Sequence, residues 1–143
     1  MKSLTIAVVA AIVAVPAFAA ANDAIDKAAK EKGAVKTSSG LVYISIKEGK
    51  GKSPSAANTV EVNYRGTLTN GKEFDSSYKR HQSISFPLSR VIPCWTEGVQ
   101  MMKVGGKAKL VCPPELAYGS RGAGSDVPPN ATLIFEVELL TIK

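Results

Sequence analysis

The chain has 143 residues, the length of a single domain. Its 45% hydrophobic and 21% charged residues can build a core and exclude a wholly disordered chain, and 12 Gly and 8 Pro are too few for a collagen-like or low-complexity protein. Lys and Arg number 18 against 12 Asp and Glu, and the resulting +6 is modest for a dedicated nucleic-acid binder, so no nucleic-acid partner is expected.

Met1-Lys2-Ser3 is a short positive start, and Leu4 to Val15 is apolar apart from Thr5. Pro16 breaks the run, and Ala17-Phe18-Ala19 places small residues at the two positions a signal peptidase reads. This is the layout of a secretory signal peptide. Cleavage is expected after Ala19, with Ala21 as the second choice, and the protein is expected to be periplasmic or secreted. An uncleaved anchor is the competing reading, but the run falls short of the roughly 20 residues of a membrane helix. No stable membrane insertion is therefore expected once the leader is removed. The expected plan is a signal peptide over 1–19, a short helical or flexible arm over 20–36 and one domain over 37–143.

In the arm, Asn22 or Asp23 can cap a short helix through Ile25, Ala28, Ala29 and Lys32, stopped by Gly33. It offers little apolar surface and reads as frayed. From Leu41 the pattern becomes that of strands. Val42, Ile44 and Ile46 share one side of the first; Val60, Val62 and Tyr64 alternate with polar residues in the second. Asn70-Gly71 is a preferred hairpin turn, followed by a strand carrying Phe74 and another over Ile84 to Leu88. Pro93 suits the first turn of a helix whose apolar stripe is Trp95, Val99 and Met102, with Gly105-Gly106 expected to end it. Ala108, Leu110 and Cys112 alternate in the next strand. A Gly- and Pro-rich loop runs from Pro113 to Asn130, and the last strand, Thr132 to Ile142, puts Leu133, Phe135, Val137 and Leu139 on one face.

The expected fold is α+β: a twisted antiparallel sheet of about five strands covered by one short helix. Its core should hold Val60, Val62, Trp95, Val99, Leu110, Leu133 and Val137. Cys94 and Cys112 are the only cysteines. Export favours a disulfide, which would close a loop of about 18 residues and contribute about 3 kcal/mol; two buried thiols that never meet are the alternative.

Covalent, metal and nucleotide chemistries find little support. His81, the sole histidine, sits between Arg80 and Gln82 in a polar loop and reads as solvated. There is no Gly-x-Ser-x-Gly elbow, no phosphate loop and no set of metal ligands beyond two Cys and one His. No cofactor is expected and no metal. An aromatic set stands out instead: Tyr64, Phe74, Phe86, Trp95, Tyr118 and Phe135. Singly each is core, but Phe74 adjoins Asp75 and Tyr118 lies in a loop, which together suggest a concave apolar site with a few polar groups.

Three blocks carry a resemblance. They are Val62-Asn63-Tyr64-Arg65-Gly66 with Gly71-Lys72-Glu73-Phe74-Asp75-Ser76-Ser77; Val91-Ile92-Pro93-Cys94-Trp95-Thr96-Glu97-Gly98; and Pro114-Glu115-Leu116-Ala117-Tyr118-Gly119 with Pro128-Pro129-Asn130-Ala131-Thr132 running on to Leu140. From about Thr37 to Lys143 the chain resembles the FK506-binding-protein (FKBP) family of peptidyl-prolyl cis–trans isomerases, as a small exported bacterial member. The resemblance implies a sheet wrapped around one short helix and an isomerase that uses no nucleophile or cofactor. It implies Trp95 as the floor of a pocket, with Tyr64, Phe74, Val91, Ile92 and Phe135 as walls. Asp75 and the Tyr118 hydroxyl would be polar groups, Arg80 would pair with Asp75, Ile92 would offer a backbone N–H, and Val127 would shape the rim. Phe86 and Ile84 complete the expected substrate-binding set, Ile84 standing where some members carry an aromatic residue. Cys94 stands where Gly is frequent, and in the family fold the helix start lies against the strand of Cys112, which favours the disulfide.

The expected function is acceleration of Xaa-Pro rotation during the folding of exported proteins. Its partners would be proline-containing unfolded or exported polypeptides and, as inhibitors, FK506-type macrolides. A chaperone or peptide-binding module with incidental isomerase activity is the second reading, and an interaction domain with a dead pocket the third. The arm is too short for a helical dimerisation device, so a monomer is expected.

Overall fold

The computed structural model describes residues 17–143, with side chains described from Asp23 onward. The expected leader therefore lies outside the described residues except for Ala17–Ala19. The elements in order are α1 (Ala17–Ala29), β1 (Ala34–Lys36), β2 (Val42–Lys47), β3 (Thr59–Leu68), β4 (Glu73–Ser76), β5 (Ile84–Pro87), α2 (Pro93–Gln100), β6 (Lys107–Cys112) and β7 (Leu133–Ile142). Short 3-10 turns occupy Leu88–Arg90 and Pro114–Leu116.

The seven strands form one antiparallel sheet in the order β1-β2-β6-β7-β3-β4, with β5 also paired to β3. The class is α+β, as the sequence suggests, with seven strands in place of about five. Six of the seven correspond to the strand segments expected from the sequence, and the seventh, β1, lies within the segment expected to be an arm. The hairpin at Asn70-Gly71 closes through Leu68 and Lys72, whose N–H and C=O are 2.9 Å apart. Only Gly71 there has a positive φ, +89°, so this is a three-residue loop and not a two-residue turn.

Helix α2 lies across one face of the sheet. Pro93 occupies its first turn, and Cys94, Trp95, Gly98 and Val99 are its buried residues. It ends at Gln100, with Met101 as the capping residue, five residues before Gly105. Gly105, at φ +92°, instead turns the chain into β6. A Cβ on Gly98 would lie 2.8 Å from both Leu110 methyls, so glycine allows the helix backbone to rest on β6. Beside that contact, Cys94 and Cys112 form a disulfide, Cα to Cα 5.8 Å, with both residues fully buried. The core beneath α2 contains every residue expected there: Val60, Val62, Trp95, Val99, Leu110, Leu133 and Val137.

The other face corrects several expectations. Helix α1 begins before Asn22, so neither Asn22 nor Asp23 caps it, and it ends at Ala29, short of Lys32. The Ala-rich stretch carries strong helix propensity and needs no cap at that point. Nor is the segment frayed: Ile25 and Ala28 are buried against Val42, Ile44 and Val111 in a second apolar cluster. Lys109 to Glu31 (3.2 Å) and Lys36 to Asp26 (3.7 Å) flank it. Val42 and Ile44 thus face α1, whereas Leu41 and Tyr43 face the main core. Ile46, expected to share their burial, is half exposed.

Candidate active site

The site forms between β3, β4, β5 and β7 of the sheet and the first residues of α2. Row by row across the strands, Leu110 of β6 pairs with Phe135 of β7, Phe135 with Gly66 of β3, and Gly66 with Asp75 of β4. Gly66 leaves a gap in this row. A Cβ there would lie 2.6 Å from Phe74 Cζ and 2.9 Å from Phe135 Cε1, so the two rings fill the space directly above its backbone. A register shift follows, because Gly66 pairs with Asp75 but Thr67 pairs with Glu73. Phe74 is the extra residue of this bulge. Consecutive residues of a regular strand point to opposite faces, and the bulge re-aims one of them, so that Phe74 and Asp75 both line the same cavity.

That cavity has a volume of about 520 Å³ and is bounded by Tyr64, Phe74, Asp75, Ile84, Arg90, Val91, Ile92, Trp95, Tyr118 and Phe135. Trp95 lies at its base, 5% exposed. The Tyr64 and Phe135 rings meet the indole nearly edge-on, centroids 5.1 and 5.2 Å away at 77° and 85°. Phe74 meets Phe135 in the same manner at 5.6 Å and 80°. These T-shaped contacts match ring edges to ring faces. Phe86 packs on Trp95 at 5.4 Å but does not bound the cavity. The indole Nε1–H is buried and has no hydrogen-bond partner among the described residues.

The polar edge is a three-residue cluster. The Tyr64 hydroxyl donates to Asp75 Oδ2, and Arg80 Nη1 donates to Asp75 Oδ1. Arg80 Nη2 donates to the Tyr64 hydroxyl at 3.0 Å, and the Ser76 N–H donates to Asp75 Oδ1 at 2.9 Å. Partial burial works to raise the Asp75 pKa, but the Tyr64 hydroxyl, the Arg80 guanidinium and the Ser76 N–H together outweigh it. The carboxyl is held below its usual range and is an anion at neutral pH. Burial, and next the bond to Asp75, push the Tyr64 hydroxyl up, so it remains a protonated donor. Ser77, fully buried, locks the base of this cluster: its hydroxyl accepts from the Tyr64 N–H at 2.8 Å and donates to Asn63 Oδ1 at 2.9 Å.

Ile92 immediately precedes α2 and bounds the cavity. Its C=O accepts from the N–H groups of Trp95 and Thr96, while its own N–H has no backbone acceptor among the described residues. Tyr118 stands 40% exposed at the mouth. Val127 does not bound the cavity; it is 3% exposed, packed in the core and bridged to Ala123. Arg80 is reached only through Asp75 and Tyr64. His81 is exposed, in a left-handed conformation at φ 54°. Gly66 and Arg90 belong to the site and lie outside the expected set. Gly66 carried a signal, since a glycine inside a strand marks a close approach or a bulge. Arg90, an exposed cation in a turn, carried none.

A hydrophobic cavity with one ion-paired carboxylate, a phenolic hydroxyl and a backbone N–H without a backbone acceptor sets no nucleophile beside a base among the described residues. It suits the capture of a small apolar ring joined to carbonyl groups. The sequence model of the family described as FKBP-type peptidyl-prolyl cis-trans isomerase matches residues 50–140. The chain belongs to that family. It is 57% identical over 118 residues to the FKBP-type peptidyl-prolyl cis-trans isomerase FkpA of Escherichia coli strain K12, covering 82% of this chain and 43% of that protein. It is 54% identical over 106 residues to FK506-binding protein 1 of Dictyostelium discoideum, covering 73% of this chain and 99% of that one. The crystal structure of Escherichia coli FkpA superposes with a TM-score of 0.84 at 54% identity, covering 87% of this chain and 58% of that one. The aligned part of the chain spans less than half the full-length sequence of FkpA from Escherichia coli strain K12.

Proposed function

We propose that this protein is a peptidyl-prolyl cis–trans isomerase that accelerates rotation about Xaa-Pro bonds in exported polypeptides, by a non-covalent mechanism within the aromatic cavity. The observation that carries this reading is the Trp95-floored cavity with the Tyr64–Asp75–Arg80 cluster at its edge. Amide rotation is opposed by a barrier of about 18–20 kcal/mol, because twisting the C–N bond breaks resonance. The tertiary amide before proline populates both isomers, yet exchanges only over tens to hundreds of seconds.

The planar amide is more dipolar than the twisted one. Inside a dry aromatic cavity the planar form loses solvation that the twisted form needs less, and binding that favours the twisted geometry lowers the barrier. In this reading the proline ring rests on Trp95 between Tyr64, Phe74 and Phe135. The Ile92 N–H and the Tyr118 hydroxyl take carbonyl oxygens of the substrate. Val91 and Ile84 complete the apolar wall, and Asp75 acts as an electrostatic and hydrogen-bonding group and not as a base. Substrates are proline-containing unfolded chains, the working form is a monomer, and the site of action is the periplasm or the exterior. An FK506-type macrolide fills the same cavity.

The test is the isomerisation of Xaa-Pro peptides by the oxidised protein with and without FK506. Acceleration that the drug abolishes supports the reading, and acceleration without inhibition keeps the enzyme but not the macrolide. Absence of acceleration from folded protein overturns it in favour of a peptide-binding module.

A further inference from the structure

We infer that Arg90 gives the site a charge preference, drawing substrates that carry an acidic side chain next to the proline. The inference deepens the isomerase reading and rests on it. Two charged residues besides the neutral walls bound the cavity, Asp75 and Arg90. Asp75 is already engaged by Arg80, Tyr64 and the Ser76 N–H. Arg90 is exposed and forms no ion pair or side-chain hydrogen bond among the described residues, whereas Arg65 is held by Glu73 and Arg80 by Asp75. The nearest acid in sequence on α2, Glu97, borders the adjoining groove and accepts from the Ser39 hydroxyl at 2.5 Å.

The cavity mouth therefore carries one unspent charge, and it is positive. Arg90 stands two residues before Ile92, the residue whose N–H faces a substrate carbonyl in the proposed pose, so the side chains flanking the proline pass within reach of its long, flexible stem. A guanidinium binds a carboxylate in a two-pronged geometry. It attracts an acidic flanking residue and repels a basic one, while a neutral one is indifferent to it. An exposed pair of this kind corresponds to a preference of about two- to fivefold.

The experiment measures kcat/KM for peptides with Glu, Ala or Lys before the proline, and a second set with the same residues after it. The wild type is compared with Arg90→Gln and Arg90→Glu. Binding of the same peptides is followed by the emission of Trp95, the chain's single tryptophan. The expected wild-type result is a Glu-over-Lys preference in at least one set. Arg90→Gln should bring that ratio to about one and Arg90→Glu should reverse it. The preference should vanish near 1 M salt, where the screening length is about 3 Å. A ratio unchanged by both substitutions in both sets, by rate and by binding, overturns the inference. Failure of the wild type to accelerate even the Ala peptides, with binding that still follows the charge rule, overturns the isomerase reading alone.

Discussion

Asp75 receives the hydroxyl of Tyr64 on one oxygen and the guanidinium of Arg80 on the other, so one carboxylate ties β3, β4 and the following loop together at the cavity edge. Its pKa is depressed on balance, the pull of these donors exceeding the effect of burial. A depressed carboxylate contributes stability above its unfolded pKa of about 3.9, and loses that contribution as the pH falls through the lower folded value. The wild type should therefore exceed Asp75→Asn in stability by a constant margin at neutral pH, and the margin should shrink below about pH 4. Half-exposed partners keep it to about 1 kcal/mol or less. Urea titrations at several pH values measure it. Tyr64→Phe removes one of the donors, so the Asp75 carboxyl should then titrate at higher pH by NMR.

The two obvious activity variants should behave differently. Asp75→Ala removes a partly exposed group and should fold, with kcat/KM lowered about two- to tenfold, the worth of one net hydrogen bond. Phe135→Ala removes a side chain only 3% exposed near the start of β7, and should cost about 3–5 kcal/mol of stability as well as activity. Paired unfolding curves and peptide assays separate the two effects. A Phe135→Ala protein as stable as wild type would contradict the packing described.

Much of this arrangement was legible from the residues. Val60, Val62 and Tyr64 in β3, and Leu133, Phe135, Val137 and Leu139 in β7, keep strict alternation because one face of each packs under α2. Period two also grouped Val42 with Ile44, but periodicity says which residues share a face and not which layer covers it. Here both faces of β2 are covered, and those two belong to the smaller cluster. The docking of α1 was hidden because, among the described side chains, its buried residues are Ile25 and Ala28, with Ala29 packed beside them, within a run of Ala and Lys that reads as solvated. The aromatic set was visible, yet the bulge that turns Phe74 and Asp75 the same way depends on the pairing of β3 with β4, which no local pattern encodes.

Gly66 should be a sensitive position despite contacting no substrate. Gly66→Ala places a methyl group 2.6 Å from Phe74 and 2.9 Å from Phe135, so one or both rings must shift. Overpacking of this kind costs about 1–3 kcal/mol. Because these rings are the proposed walls, KM should rise more than stability alone would explain. Peptide kinetics on samples held well below their melting temperature test this, and wild-type KM in a destabilised protein would place the rings elsewhere.

Reduction of the Cys94–Cys112 disulfide should lower stability without abolishing the fold. The bond spans a separation of 18 residues, and releasing a loop of that size costs about 3 kcal/mol in the chain-entropy account. Both sulfurs are buried, so reduction should require transient opening and become faster as urea is added. The Cys94→Ala/Cys112→Ala variant gives the same comparison without reductant. A midpoint unchanged in that variant would mean that packing of α2 on β6 through Gly98 and Leu110 already fixes the helix.

Helix α1 offers the converse test, a part that stabilises without acting. Ile25 is 5% exposed and packs on Val42, Ile44 and Val111, the face of the sheet opposite α2 and the cavity. Ile25→Ala should cost about 2 kcal/mol or more, the lower end for a buried isoleucine, since this shallow cluster can relax around the gap. The sheet itself retains its main core beneath α2, so kcat/KM for a short Xaa-Pro peptide should stay at the wild-type value at temperatures where both proteins are folded. A drop in kcat/KM with no loss of stability would show that α1 communicates with the cavity through β2 and β6. Equal stability and equal activity would show that the helix is not docked as described.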